Sequence, residues 1–155
     1  MKAIFNKLTI WTAILISVAL SSCTKSSING SSNASVQSQV QTHVQSGGWR
    51  ISKFIDSGTD ETSNFNGFSF SFQSNGVLNA TNGSVNYSGT WSITDSNSND
   101  DSKDDLDFNI NFNLTNDFED LNDDWDIVSY SSNKIELYDV SGGGGGTDYL
   151  TIEKM

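Results

Sequence analysis

Proline is absent from this chain of 155 residues, so no backbone donor is deleted and long hydrogen-bonded strands meet no built-in break. Histidine is almost absent. The single one, His43, lies in a Ser/Gln-rich stretch with no other metal-ligating residue beside it, which leaves it a solvated side chain. From Gly47 onward there is none, so a serine nucleophile in that part would lack the imidazole base of a hydrolase triad. Basic residues are scarce: 8 Lys and Arg stand against 19 Asp and Glu, a formal net charge of −11. A surface of that sign repels nucleic acid and anionic lipid, so neither is an expected partner. Long apolar runs are missing too, apart from Leu8 to Leu20.

That run follows Lys2 and Lys7 and leads into Leu20-Ser21-Ser22-Cys23, which holds the chain's only cysteine. A membrane-spanning helix needs roughly 20 apolar residues. This stretch is shorter and contains Thr9, Thr12 and Ser17, so the hydrophobic core of a secretory signal, about 7–15 residues long, fits better. Leu20-Ser21-Ser22-Cys23 resembles the lipobox of bacterial lipoproteins, which is cut just before the cysteine so that the thiol can be acylated. The resemblance implies a signal peptide over 1–22, a diacylglycerol on the Cys23 sulfur and usually a third, amide-linked chain. One acyl chain holds a protein to a bilayer only marginally, whereas two or more hold it stably. With Cys23 lipidated, no thiol remains for a disulfide, a thiolate metal site or a cysteine nucleophile. No cofactor or metal is expected. Loss of Lys2 and Lys7 leaves 6 basic against 19 acidic residues, a net charge of −13.

Residues 23–46 read as the lipidated cysteine and a tether. Ser, Asn, Gln and Gly dominate from Thr24 to Gln45, with too few large apolar groups to offset the entropy of ordering. As a flexible chain, about 20 such residues span about 25 Å. Val36, Val40 and Val44 recur every four residues, which would share one face if Ser35 to Gln45 formed a short helix. Valine is a weak helix former.

From Gly47 to Met155 the pattern changes to period-two alternation broken by turn residues. Trp49, Ile51 and Ile55 alternate with polar residues. A run beginning at Phe65 sets Phe68, Phe70 and Phe72 on one face. Asn75-Gly76 and Asn82-Gly83 predict two-residue hairpins on either side of Val77 to Ala80, because Asn-Gly tolerates positive φ. Further stripes are Val85, Tyr87, Gly89, Trp91 and Ile93; Leu106, Phe108, Ile110, Phe112 and Leu114; Trp125 with Ile127; Ile135 with Leu137; and Leu150 with Ile152. About eight strands, with no helical segment between them for a crossover, predict an all-β, antiparallel, up-and-down eight-stranded barrel over 47–155. Three segments place Trp and Ile two apart, at Trp49/Ile51, Trp91/Ile93 and Trp125/Ile127, a pattern of ordinary inward packing.

Gly47-Gly48-Trp49 opening the first strand resembles the Gly-x-Trp signature of lipocalins. The whole resembles the small lipocalin-like lipoproteins of Bacteroidota. The pieces in order are Phe68-Ser69-Phe70-Ser71-Phe72, Asn75-Gly76, Gly89-Thr90-Trp91, Asp123-Asp124-Trp125 and Ile135-Glu136-Leu137. The resemblance implies a membrane-anchored cell-envelope protein whose barrel interior holds a small apolar ligand, with Trp49, Phe68, Phe70, Phe72, Trp91 and Phe108 as lining. The late-strand arginine and the disulfides common in lipocalins are missing, so a barrel filled by its own side chains stands beside that reading. In the filled case the chain is a structural or protein-interaction lipoprotein. Surface-exposed lipoproteins of that phylum tend to carry acidic residues after the cysteine. Thr24-Lys25-Ser26-Ser27 has none, which points to the outer membrane facing the periplasm.

No segment specifies an enzyme. Asp95, Asn97 and Asn99 echo the start of an EF-hand loop, but Asp100 replaces its glycine and Leu106 its glutamate. Asp100, Asp101, Asp104 and Asp105 otherwise form a solvated hairpin tip or a looser cation site. Asp117, Glu119, Asp120, Asp123, Asp124 and Asp126 surround Phe118 and Leu121, a short turn packed by two apolar groups rather than a defined carboxylate pair. Gly142 to Gly146 lacks the lysine and helix of a phosphate loop and reads as a hairpin connection.

Overall fold

The structure, a computed structural model, describes residues 33–95, 106–141 and 146–155. The expected signal peptide, Cys23, the acidic tip from Asp100 to Asp105 and glycines 142–145 lie outside the described residues.

Helix α1 (Asn33–Val44) precedes nine strands: β1 (Trp49–Asp56), β2 (Thr59–Asp60), β3 (Ser69–Phe72), β4 (Val77–Thr81), β5 (Asn86–Thr94), β6 (Asp107–Asn111), β7 (Asp123–Tyr130), β8 (Lys134–Ser141) and β9 (Gly146–Lys154). Two 3-10 turns, Thr62–Phe65 and Glu119–Leu121, complete the elements. Strands β1 and β3 to β9 pair antiparallel in sequence order, and β9 returns to β1 from Trp49 opposite Lys154 to Ile55 opposite Tyr149. The result is the expected closed, eight-stranded up-and-down barrel. Strand β2 only turns back on the end of β1 through Ile55–Asp60 and Asp56–Thr59. Ser57 and Gly58 make that turn, both at positive φ, the type I′ pattern that matches strand twist.

Alternation follows the pattern except on β1, where a register shift between Ile51 and Lys53 turns Phe54 inward in place of the expected Ile55, which is half-buried. Trp49, Ile51 and Phe54 on β1, Phe70 and Phe72 on β3, and Trp91 and Ile93 on β5 are all buried. So are Phe108 and Ile110 on β6, Trp125 on β7, Ile135 and Leu137 on β8, and Leu150 and Ile152 on β9. All three Trp–Ile pairs therefore belong to the core, Ile127 from its margin. Gly89 takes an inward position on β5 because the chain leaves no room there. A Cβ would lie 2.4 Å from the Asn111 carbonyl oxygen and 2.8 Å from the Phe112 ring.

The seam between β1 and β3 is the weak point of closure, since only Trp49 and Phe70 pair across it. The Thr62 turn covers the gap. The Phe54 N–H donates to Thr62 Oγ1 at 2.8 Å, and the Phe54 carbonyl accepts from the Glu61 N–H at 3.0 Å. Phe65 ends this turn and does not begin β3, so it reaches the core from a 3-10 segment.

Three other expectations change. The stretch expected as tether contains α1, whose Val36, Val40 and Val44 are buried in the same core as the barrel; the folded unit thus includes Asn33 onward, not only 47–155. Asn75-Gly76 makes a three-residue loop. The Gln73 N–H donates to the Val77 carbonyl and the Gly76 N–H to the Gln73 carbonyl, with Gly76 at φ 82°. The Asn82 turn does have two central residues, with Gly83 alone at positive φ (86°), as in type II′. Val85, expected inside, is exposed beside that turn.

Candidate functional site

The barrel interior is where an apolar ligand would sit, and its rings meet one another. Phe72 stands edge-on to Trp91 (5.5 Å between centroids) and to Phe108 (5.6 Å), and Trp91 lies 6.0 Å from Phe108. Three of the six expected lining residues thus form one mutual cluster. The Trp91 indole N–H donates to the Gln73 carbonyl at 3.0 Å, which fixes its ring at the β3–β4 turn. Phe68 and Phe70 belong to a second cluster. Phe70 stacks on Phe118 at 6.0 Å; Phe68, half-buried, stacks on Tyr87 at 6.0 Å and meets Phe118 edge-on at 5.0 Å. Trp49 is fully buried opposite Phe70 in the register of β1 and β3, and its indole N–H donates to the Val44 carbonyl of α1 at 2.8 Å.

Phe118 organises the second cluster. It comes from the connection between β6 and β7 and also contacts Phe65 (5.3 Å), Tyr87 (4.8 Å) and Phe112 (5.1 Å). Leu121, beside it in sequence, is buried as well. This connection therefore stops one end of the barrel. Its shape is held by Asn122, whose side-chain amide donates to the Phe112 carbonyl at 3.0 Å while its Oδ1 accepts the Phe112 N–H. Helix α1 stops the other end. Gln37 Nε2 donates to the Ile93 carbonyl at 2.6 Å, and the Tyr130 hydroxyl approaches Gln39 Oε1 at 3.5 Å. The sequence singled out Phe118 as a packing residue and set Val36, Val40 and Val44 on one face of a short helix within a tether; their work as stoppers depends on barrel closure and is not readable locally.

Carboxylates gather at the Phe118 end. Burial raises the Glu61 carboxyl, with Asp120, Asp56 and Asp117 adding repulsion. Asp120 is raised by burial and by Asp56, Asp117 and Glu119. Asp123 rises to about 6, first through burial, then through a hydrogen bond with Asp124 and the charges of Asp139 and Asp124. Asp123, Asp124 and Asp139 each offer an oxygen within 4.8 Å of the others, a spacing that a shared proton or one hard cation can neutralise. Nearby, Asp148 Oδ1 accepts the Ser57 N–H at 2.6 Å. On the outer wall, a groove of about 340 Å³ is lined by the neutral side chains of Asn75, Thr90, Ser92, Asn109 and Asn111. The described residues bring together no nucleophile with a histidine base, since His43 stands on α1, 6.2 Å from the Tyr130 ring.

The fold and its contents define a small antiparallel β-barrel stopped at both ends and occupied by aromatic side chains. No protein-family model matches the chain, and no curated protein does. It is similar to a crystal structure of a DUF4847 family protein from Bacteroides vulgatus, at 19% identity and a TM-score of 0.46, over 75% of this chain and 97% of that one.

Proposed function

We propose that the chain is a lipocalin-like lipoprotein of the cell envelope, held to the membrane through Cys23, whose filled barrel acts as a structural or protein-interaction module through its surface. The observation that carries the filled-barrel reading is the ring packing. Phe72, Trp91 and Phe108 satisfy one another, and Phe118 occupies the space between Phe68, Phe70 and Phe112. A ligand in the interior would have to displace rings already packed at interior density. Anchoring rests on Leu20-Ser21-Ser22-Cys23 and its setting, and the periplasmic face of the outer membrane on the absence of acidic residues after Cys23. In this reading the chain has no catalytic role and takes no nucleic acid.

Two readouts on one preparation test it. Labelled palmitate should enter the wild-type chain and not a Cys23→Ser variant. Native mass spectrometry of the solubilised chain should show the mass of protein plus its own lipid. A stoichiometric extra apolar molecule, retained in the Cys23→Ser variant, would show instead that the barrel is a carrier.

A further inference from the structure

Helix α1 is built from Asn, Ala, Ser, Val, Gln, Thr and His over twelve residues. Isolated helices of about 12–15 residues are marginal even when alanine-rich, and β-branched and short polar residues weaken this one further. Its shape is therefore maintained by docking. Docking rests on one apolar stripe, Val36, Val40 and Val44, with side-chain hydrogen bonds that include those of Gln37, of Gln39 with Tyr130, of Asn33 with Asp95 (3.3 Å) and from Trp49. Barrel closure does not pass through the helix, because β1 pairs directly with β9 along six register positions.

The joint between the two is a glycine pair. Gly48 is fixed to the barrel, its carbonyl accepting the Met155 N–H at 3.0 Å. Gly47 lies at φ 92°, a region glycine enters freely, and Ser46 before it donates its N–H to the His43 carbonyl of the helix at 3.1 Å while its hydroxyl accepts from Lys154 Nζ at 2.9 Å. Rotation at Gly47 moves the helix while leaving Gly48 and Trp49 in the barrel. What the helix covers is apolar: Trp49, Ile93 and Tyr130 are all buried at that mouth and each is tied to, or lies beside a group tied to, α1.

We propose that α1 is a detachable stopper: it leaves the barrel mouth as a unit about Gly47 while the barrel stays closed, uncovering an apolar surface edged by Trp49, Ile93 and Tyr130. The device goes beyond the surface-module reading and does not depend on the lipid. It places a low-stability element, of the kind that opens below the global unfolding free energy, directly after the segment that leads to Cys23.

Hydrogen exchange on the full chain tests it, read segment by segment with mass spectrometry. Amides of Asn33–Val44 should be protected at least about tenfold less than those of β1, β8 and β9. A Val40→Asp variant should lose α1 protection, keep a cooperatively unfolding barrel and bind the neutral apolar dye Nile red, which the unsubstituted chain binds weakly. Failure of the surface-module reading would appear as a carried ligand and would leave these exchange rates untouched. Amides of α1 that exchange at the barrel's rate overturn the proposal, and so does a Val40→Asp chain in which barrel cooperativity is lost with the helix.

Discussion

Asp123 begins β7 on the same face as Trp125, with Asp124 beside it and Asp139 on β8 within carboxylate reach. Its neighbour across the sheet on β6 is Ile110, and the turn before it carries Glu119 and Asp120. The groups that shift its carboxyl are Asp124 and Asp139, with no lysine or arginine among them. Burial and like charge therefore hold the carboxyl near 6, above its unfolded value of 3.8. The folded state then binds more protons than the unfolded one between those values. Its contribution is fully present below about 3.8 and is lost as pH rises through about 6. Urea midpoints should accordingly rise for the wild type when pH falls from 8 to 5. In Asp123→Asn most of that rise should vanish, leaving the smaller part owed to Glu61 and Asp120, which are raised for the same reason. An unchanged pH profile in the variant would show that Asp123 is not the group being titrated.

At the scale of elements, the strands were legible and the stoppers only in part. Phe68-Ser69-Phe70-Ser71-Phe72 declares a strand because each step changes face, and the structure differs in starting β3 at Ser69, with Phe68 half-buried just before it. Asn82-Gly83 was readable as a turn for a local reason, the φ its glycine needs. At Asn75-Gly76 the turn was readable but its length was not, because that follows from Gln73 pairing with Val77. Helix α1 shows the opposite case. Its valine spacing was visible, while its composition argued for a tether, and docking on Trp49 and Ile93 overrode propensity. Phe118 was visible as an apolar residue in an acidic run; the space it fills exists only once β9 has closed on β1. Phe118→Ala should cost about 3–5 kcal/mol in urea unfolding, the range for deleting a wedged aromatic. A loss under about 1 kcal/mol would mean that the surrounding rings are not held by it.

For the whole molecule, closure, filling and charge belong together. A sheet that closes on itself has no edge to protect, so the absence of proline costs it nothing, and its few aliphatic residues suffice because aromatic rings carry the interior volume. Small eight-stranded barrels are wide enough to be filled by side chains or to hold one small ligand. Here the described core runs without a break from α1 through Phe72, Trp91 and Phe108 to Phe118. Among the described acidic groups Asp107 and Asp148 are buried and Asp123 is half-buried, while Asp60, Asp95, Asp117, Glu119, Asp120 and Asp124 are exposed, where charge is hydrated and favours solubility. The sequence left the choice between an open and a filled barrel undecided, since inward Phe and Trp can line a cavity or close it. Contacts between rings from strands distant in sequence support the filled reading, and alternation along one strand does not encode them.

The filled barrel is the central claim, and titration with a fluorescent fatty acid tests it most directly, using the chain in detergent-free form as Cys23→Ser. Fluorescence should rise weakly and linearly with probe, without a plateau. A saturable curve at one probe per chain, abolished by Phe72→Trp or Phe108→Trp, would contradict it.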